Sequence, residues 1–323
     1  MKFGWLTTFL GLAIFTLTHL HAAEWNPSKA VEIIIPTSPG GAVDQTGRLF
    51  QKMLQVRNLA DSTVVNKGGA GGALAYAMLN QKPGDGHALS FSTLNLITNP
   101  IIGTHPLTHN DVTAICHLFG EYPVFLVRAD SPYKTGKDIV ARLRQDPASV
   151  TITFSPGLGG ALHLATAIVL KAAGVDIRKL KLVVVQSSAD GMASVLGGHV
   201  DLSVVTPSNA VSHIQAGRLR ALGVAAPQRM HGALASIPTW KEQGIGGVSA
   251  NWRGVIGPKG MSPDQIRFWE TTFSLLVKTS EWKADLEVNG RTDEFLLSRD
   301  AKRYYDEQHK ELLSVLTALG LSK

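Results

Sequence analysis

Val31-Glu32-Ile33-Ile34-Ile35-Pro36-Thr37-Ser38-Pro39-Gly40-Gly41-Ala42-Val43-Asp44 is the stretch on which the reading of this chain turns. Val31 to Ile35 is a β-branched run, the composition of a strand buried on both faces. Pro36 and Pro39 have no N–H to donate and stop the ladder. From Val43 the spacing of Thr46, Leu49, Phe50, Met53 and Leu54 changes to one face of a helix. A strand, a glycine turn and a helix start leave backbone N–H groups unpaired at a positive dipole end, which suits an anion. The same pattern also describes an ordinary turn in which Asp44 caps the helix or supplies its first-turn acid.

The pattern recurs. Ser62–Val65 reads as a strand before Gly68-Gly69-Ala70-Gly71-Gly72, with a helix from Ala73. Ala88–Ser92 is a third strand, running into the polar segment 93–99. Val124–Val127 is strongly apolar, and the first crossing into a second domain is placed after it. There, Val150–Phe154 leads into Ser155-Pro156-Gly157-Leu158-Gly159-Gly160 and a helix over Ala161–Ala173. Leu180–Val185, Val200–Val205 and Leu219–Val224 read as further strands, 248–257 as the return crossing, and everything from Ser262 as helix. Strands alternating with helices predict an α/β fold with mainly parallel sheets flanked by helices. The boundaries are 1–23, a signal segment; 24–126 and 251–323, one domain; and 127–250, the other.

The totals fit this division. The chain has 323 residues, 44% hydrophobic and 17% charged, enough for two domains with real cores. Trp5–Leu17 is an apolar run after Lys2, short for a membrane span and followed by cleavage contexts ending at Ala22 and Ala23, so a cleaved export signal is expected. Cys116 is the only cysteine, which excludes an internal disulfide and cysteine-rich zinc sites. The +6 formal charge forms no basic block of the kind nucleic acids need. The glycines at 68–72 do not spell a dinucleotide fingerprint and no P-loop lysine follows, so no cofactor is expected. Neither a nucleophile elbow nor HExxH is present, and no catalytic residue is assigned. His105, His109 and Asp111 lie around Pro106, which argues against the helix that would align them on a metal, and a polar loop is expected there.

Ligands of doubly wound sheets sit at the carboxyl ends of strands. Two domains joined by two crossings therefore place 36–46 and 155–163 on opposite walls of one cleft, both offering amides and helix dipoles to a carboxylate. Ser38, Thr46, Ser155, Ser187, Thr206 and Ser208 are candidate hydroxyl donors. His163 is either a helix-face histidine bonded to backbone or a ligand contact. Arg253, on the return crossing, either clamps a carboxylate bidentately or pairs with an acid at the domain interface.

The mature chain, from about Trp25 to the end, resembles the periplasmic solute receptors of tripartite tricarboxylate transporters. The resemblance rests on Pro36–Gly41 with Asp44 and Thr46, on 68–72, 127–132, 196–201 and 217–222, on Ile237-Pro238-Thr239 with Glu242-Gln243-Gly244, and on Arg253-Gly254 with Gly257-Pro258-Lys259. It implies a two-lobed, type II Venus flytrap that is periplasmic, monomeric and not an enzyme. Such a receptor binds an organic carboxylate and delivers it to a membrane permease. The glycine loops then hold the carboxylate through backbone donors and ordered water. The ligand-binding set is Ser38, Pro39, Gly40, Gly41, Asp44, Thr46, Ser155, Gly157, Gly159, Gly160, His163, Thr206, Ser208 and Arg253. Thr37 stands where many members carry an aromatic, and the Pro-x-x-Pro-Gly-Gly arrangement of 36–41 with Thr46 resembles the citrate-binding branch; Ala42 departs from the usual third glycine. The alternatives are the same receptor reporting to a signalling partner, and a carboxylate-processing enzyme.

Overall fold

The computed structural model describes residues 25–323 apart from Gly41, Pro156 and Gln186. The expected signal segment 1–23 and the candidate Gly41 therefore lie outside the described residues. The first half runs β1 (Val31–Ile35), α1 (Ala42–Val56), β2 (Ser62–Asn66), α2 (Ala73–Asn80), β3 (Ala88–Thr93), α3 (Asn95–Ile101), β4 (Val112–Gly120), β5 (Val124–Arg128), α4 (Gly136–Gln145), β6 (Thr151–Phe154) and α5 (Ala161–Ala172). It continues through β7 (Lys181–Val184), α6 (Ser188–Leu196), β8 (Leu202–Val205), α7 (Pro207–Gln215), β9 (Leu219–Val224), β10 (Arg253–Pro258), α8 (Pro263–Leu276), α9 (Ser280–Asn289), β11 (Thr292–Leu297) and α10 (Ser298–Ala318).

Two sheets result, ordered β11-β4-β10-β3-β1-β2 and β7-β6-β8-β5-β9. Both are mixed, which qualifies the expected mainly parallel sheets. β1, β2 and β3 pair in parallel, whereas β10 runs against β3 and β4, and β11 against β4. In the second sheet β6, β7 and β8 are parallel and β5 alone is reversed, against β8 and β9. The strands that enter from a crossing, β5 and β10, are thus reversed, because a chain leaving one sheet at its carboxyl edge meets the next sheet at the same edge. β5 belongs to the second sheet, so the chain leaves the first sheet at 121–123, before the apolar strand rather than after it. β11 also interrupts the run from Ser262 that was expected to be wholly helical. Its residues read TDEFLL and none is fully buried, so the strand carries little apolar signal.

Local chemistry explains the helix ends. Ser262 caps α8 in a reciprocal capping box with Gln265, with Pro263 at the first position. α10 buries Ala301, Tyr305, Leu312, Val315 and Leu316 along one stripe. One buried cluster runs from Ile34 and Ala88 through Trp252 and Tyr305 to Phe125, Ile152 and Trp240, so apolar packing is continuous between the sheets.

The two crossings are tied to each other. Glu121 and Asn251 exchange backbone hydrogen bonds, 3.3 and 2.8 Å, and the Asn251 amide donates to the Glu121 carboxylate at 3.2 Å. Arg291, 2% exposed at its side chain, donates to Glu121 at 3.0 Å, pairs with Asp285, and lies 4.5 Å over the Phe119 ring. Removing one partner of such a buried pair strands the other charge. Arg291→Leu is expected to lower unfolding stability by about 3 kcal/mol, read from urea titrations. A loss under about 1 kcal/mol would show that this pair does not brace the crossing.

Candidate functional site

Strand register locates the site. Arg253, the first residue of β10, is opposite Thr93, the last of β3, and opposite Phe119 near the end of β4. Val124, the first of β5, is opposite Val205, the last of β8, and Val224, the last of β9. Both crossings therefore touch the carboxyl edge of both sheets. The loops after β1, β3, β6 and β8 emerge from these same edges, on the side where the lobes are joined. A methyl group added to Gly159 would lie 3.7 Å from Ile102, just past α3, so the second loop reaches the first lobe.

The first wall is the turn from Pro36 to α1. Gly40 holds φ +82°, a conformation that glycine adopts without steric penalty, and its α-carbon faces open space. Its N–H donates to Asp44 at 2.8 Å. Asp44 is 2% exposed, and it also accepts from Arg48 at 3.0 Å and Asn66 at 2.9 Å. Burial pushes the Asp44 carboxyl up, but Arg48, Gly40 and Asn66 outweigh it and hold the group below its ordinary value. Asp44 is thus the protein's own anion at the start of α1, the ordinary first-turn acid, and it braces the loop. Thr46, 1% exposed, donates its hydroxyl to the Ala42 carbonyl at 2.9 Å, so that donor is engaged within α1. Ser38 and Pro39 are exposed at the loop tip, and the Thr37 hydroxyl is buried without a partner among the described residues. Ala42 opens α1 in helical conformation, so the missing third glycine leaves the helix start intact.

The 68–72 turn closes beneath this loop. Gly69, Ala70, Gly71 and Gly72 all take positive φ, and Asn99, 4% exposed, donates to the Ala70 and Gly71 carbonyls. Tyr76 in α2 bonds both the Thr93 hydroxyl and the Thr93 amide. Sequence reasoning passed over Tyr76 and Asn99 as site residues. Their signal, polar groups beside a glycine turn, is visible only once β3 is known to end next to Arg253.

On the second wall Ser155 is 7% exposed, its hydroxyl 3.4 Å from that of Ser188. Gly159 donates to Nδ1 of His163 at 2.9 Å, and Gly160 donates to the Gly157 carbonyl at 3.3 Å. The amides of Gly157 and Leu158 have no partner among the described residues, and the Gly157 α-carbon faces open space. His163 is 3% exposed with its ring centroid 4.9 Å from that of Phe154. Burial pulls its pKa down from 6.5 to about 4. The backbone-bonded reading of His163 is the one the structure contains. Thr206 precedes α7 and accepts from Asn209 at 2.8 Å, with the exposed Ser208 hydroxyl 3.5 Å away.

Arg253 lies at the carboxyl edge of the first sheet, where β10 enters it, and is 9% exposed. Nη1 donates to Asn251 Oδ1 at 2.8 Å and to the Trp252 carbonyl at 2.7 Å. Among the described residues no carboxylate forms an ion pair with it, since Glu121, which attracts it at longer range, is already paired with Arg291. The interface-pairing alternative is therefore not realised. An arginine stays protonated even where burial pulls its pKa down, so this is an uncompensated buried cation. Such charges are ordinarily matched by an anion.

His163 is neutral in the fold and protonated more readily when unfolded. Its contribution is complete above pH 6.5 and is lost as pH falls toward about 4. Wild-type protein is expected to lose about 3 kcal/mol more than His163→Asn, which keeps an acceptor for Gly159, between pH 7 and 4. Equal losses in paired urea titrations would contradict the placement of that ring.

Residues 48–321 match the model for the tripartite tricarboxylate transporter family receptor, TctC. A Cupriavidus necator relative, described as a UPF0065 protein in the gbd 5' region, is 27% identical over 98% of this chain and 95% of its own. A crystal structure of a TctC solute-binding protein from Polaromonas superposes with a TM-score of 0.79 at 27% identity, covering 90% of this chain and 99% of the other. R. palustris Rpa4515 with adipate shares the fold, with a TM-score of 0.75 at 22% identity over 92% and 99% of the two chains. The chain belongs to the tripartite tricarboxylate transporter receptor family of solute-binding proteins.

Proposed function

We propose that this receptor works in the periplasm as a monomer, captures a small organic carboxylate between its lobes and presents it to the membrane subunits of a tripartite transporter. The observation that carries the reading is Arg253, a buried guanidinium without an acidic partner among the described residues, where both carboxyl edges meet. The start of α1, the Ser38 hydroxyl and the amides of Gly157 and Leu158, unpartnered among the described residues, supply further donors to an anion. Asp44, Thr46 and His163 act indirectly, by holding the loops that carry those donors. Adipate in the R. palustris neighbour supports a carboxylate with more than one acidic group. The finer reading is a tricarboxylate such as citrate, for which Thr37 leaves space and a hydroxyl in place of a larger ring. Contacts from both walls form together only when the lobes close, so binding is coupled to closure.

Calorimetry with citrate, tricarballylate, adipate, succinate and glutamate tests this reading. At least one is expected to bind at 1:1 stoichiometry, and Arg253→Met is expected to weaken it at least about tenfold, through loss of a charged hydrogen bond. Unchanged affinity in that variant, or binding confined to neutral or cationic compounds, would overturn it. Heat from dicarboxylates alone would remove the tricarboxylate reading.

A further inference from the structure

Behind the crossings, away from the glycine loops, lies a second cavity of about 740 Å³, a volume typical of small-molecule pockets. The first lobe supplies His117 on β4, Asp293 and Glu294 on β11 and Tyr304 and Glu311 on α10; the crossing supplies Tyr122. Three of its lining residues are acidic and none is lysine or arginine, the reverse of the charge at Arg253.

Its donors are turned inward on its own acceptors. The Tyr122 hydroxyl donates to Glu294, Nε2 of His117 lies 3.4 Å from the other Glu294 oxygen, and the Gln308 amide donates to Glu311. Glu294 has no lysine or arginine within ion-pair distance among the described residues, although its side chain is only 23% exposed. His117 is fully buried, and with Nε2 toward Glu294 its Nδ1 has no partner among the described residues. The Tyr304 ring packs 4.4 Å from the His117 ring, adding an aromatic wall. Excess carboxylate acceptors beside aromatic faces are the chemistry that holds an organic ammonium ion. We infer that this hinge cavity is a binding site for a small organic ammonium ion, seated on Glu294 and Glu311 against Tyr304.

The site is independent of the carboxylate cleft, and calorimetry with 1,4-diaminobutane tests it. The wild-type chain is expected to bind the diamine saturably at 1:1, with butane-1,4-diol giving no saturable heat. Glu294→Gln is expected to weaken the diamine at least about tenfold, by loss of its charged contact. Glu311→Gln, on an exposed rim residue whose replacement leaves the core intact, is expected to weaken it by a few-fold. Arg253→Met is expected to leave diamine affinity unchanged, which separates this site from the cleft. No saturable heat with the wild type, diol binding equal to diamine binding, unchanged affinity in both glutamate variants, or loss of diamine binding in Arg253→Met would each overturn the inference.

Discussion

The reciprocal backbone pair between Glu121 and Asn251 is the constraint on which the molecule depends. It joins the two crossings as a short antiparallel ladder, and a crossing strand can enter a sheet from its carboxyl edge only by running against its neighbours. β5 and β10 do this, and the same geometry aims the loops after β1, β3, β6 and β8 at the shared joint. The cleft is thus a consequence of strand direction more than of any single loop. Arg291, buried between Glu121, Asp285 and Phe119, fixes one crossing to the first lobe.

Within the cleft the electrostatics differ from a simple row of free amides. Asp44, already an anion at the start of α1, engages the Gly40 amide, and His163 engages that of Gly159. These internal contacts shape the loops and engage amides that a row of free donors would leave open. The Arg253 guanidinium is held by one side-chain oxygen and one carbonyl, with no carboxylate partner among the described residues, which is the basis for proposing an anion from outside the chain. Across the crossing the sign reverses, and Glu294 faces a cavity whose lining holds three acids, His117 and no lysine or arginine. The joint between the lobes therefore separates two environments of opposite charge.

Much of the fold was legible in the sequence because the apolar runs are strong. Val31–Ile35, Val150–Phe154 and Leu219–Val224 could hardly be anything but strands, and the Ser262-Pro263 cap marks a helix unambiguously. The crossing was misplaced for a physical reason: an apolar strand is equally apolar in either sheet, so composition cannot say which sheet Val124–Arg128 joins. β11 escaped notice because a half-buried edge strand with Asp293 and Glu294 lacks a hydrophobic pattern. At the candidate site, residue types marked the glycine loops but not their hydrogen-bond directions. Asp44 and His163 were visible as polar groups beside glycines; that both face inward depends on the αL backbone of Gly40 and Gly159, which no local pattern reveals.

A crystal structure of the protein with the carboxylate that binds it best tests the central claim most directly. The expected result is a carboxylate within hydrogen-bond distance of Arg253 and of amides from both glycine loops, with the lobes closed on it. A carboxylate bound elsewhere, or one in the cleft that leaves the Arg253 guanidinium untouched, would contradict it.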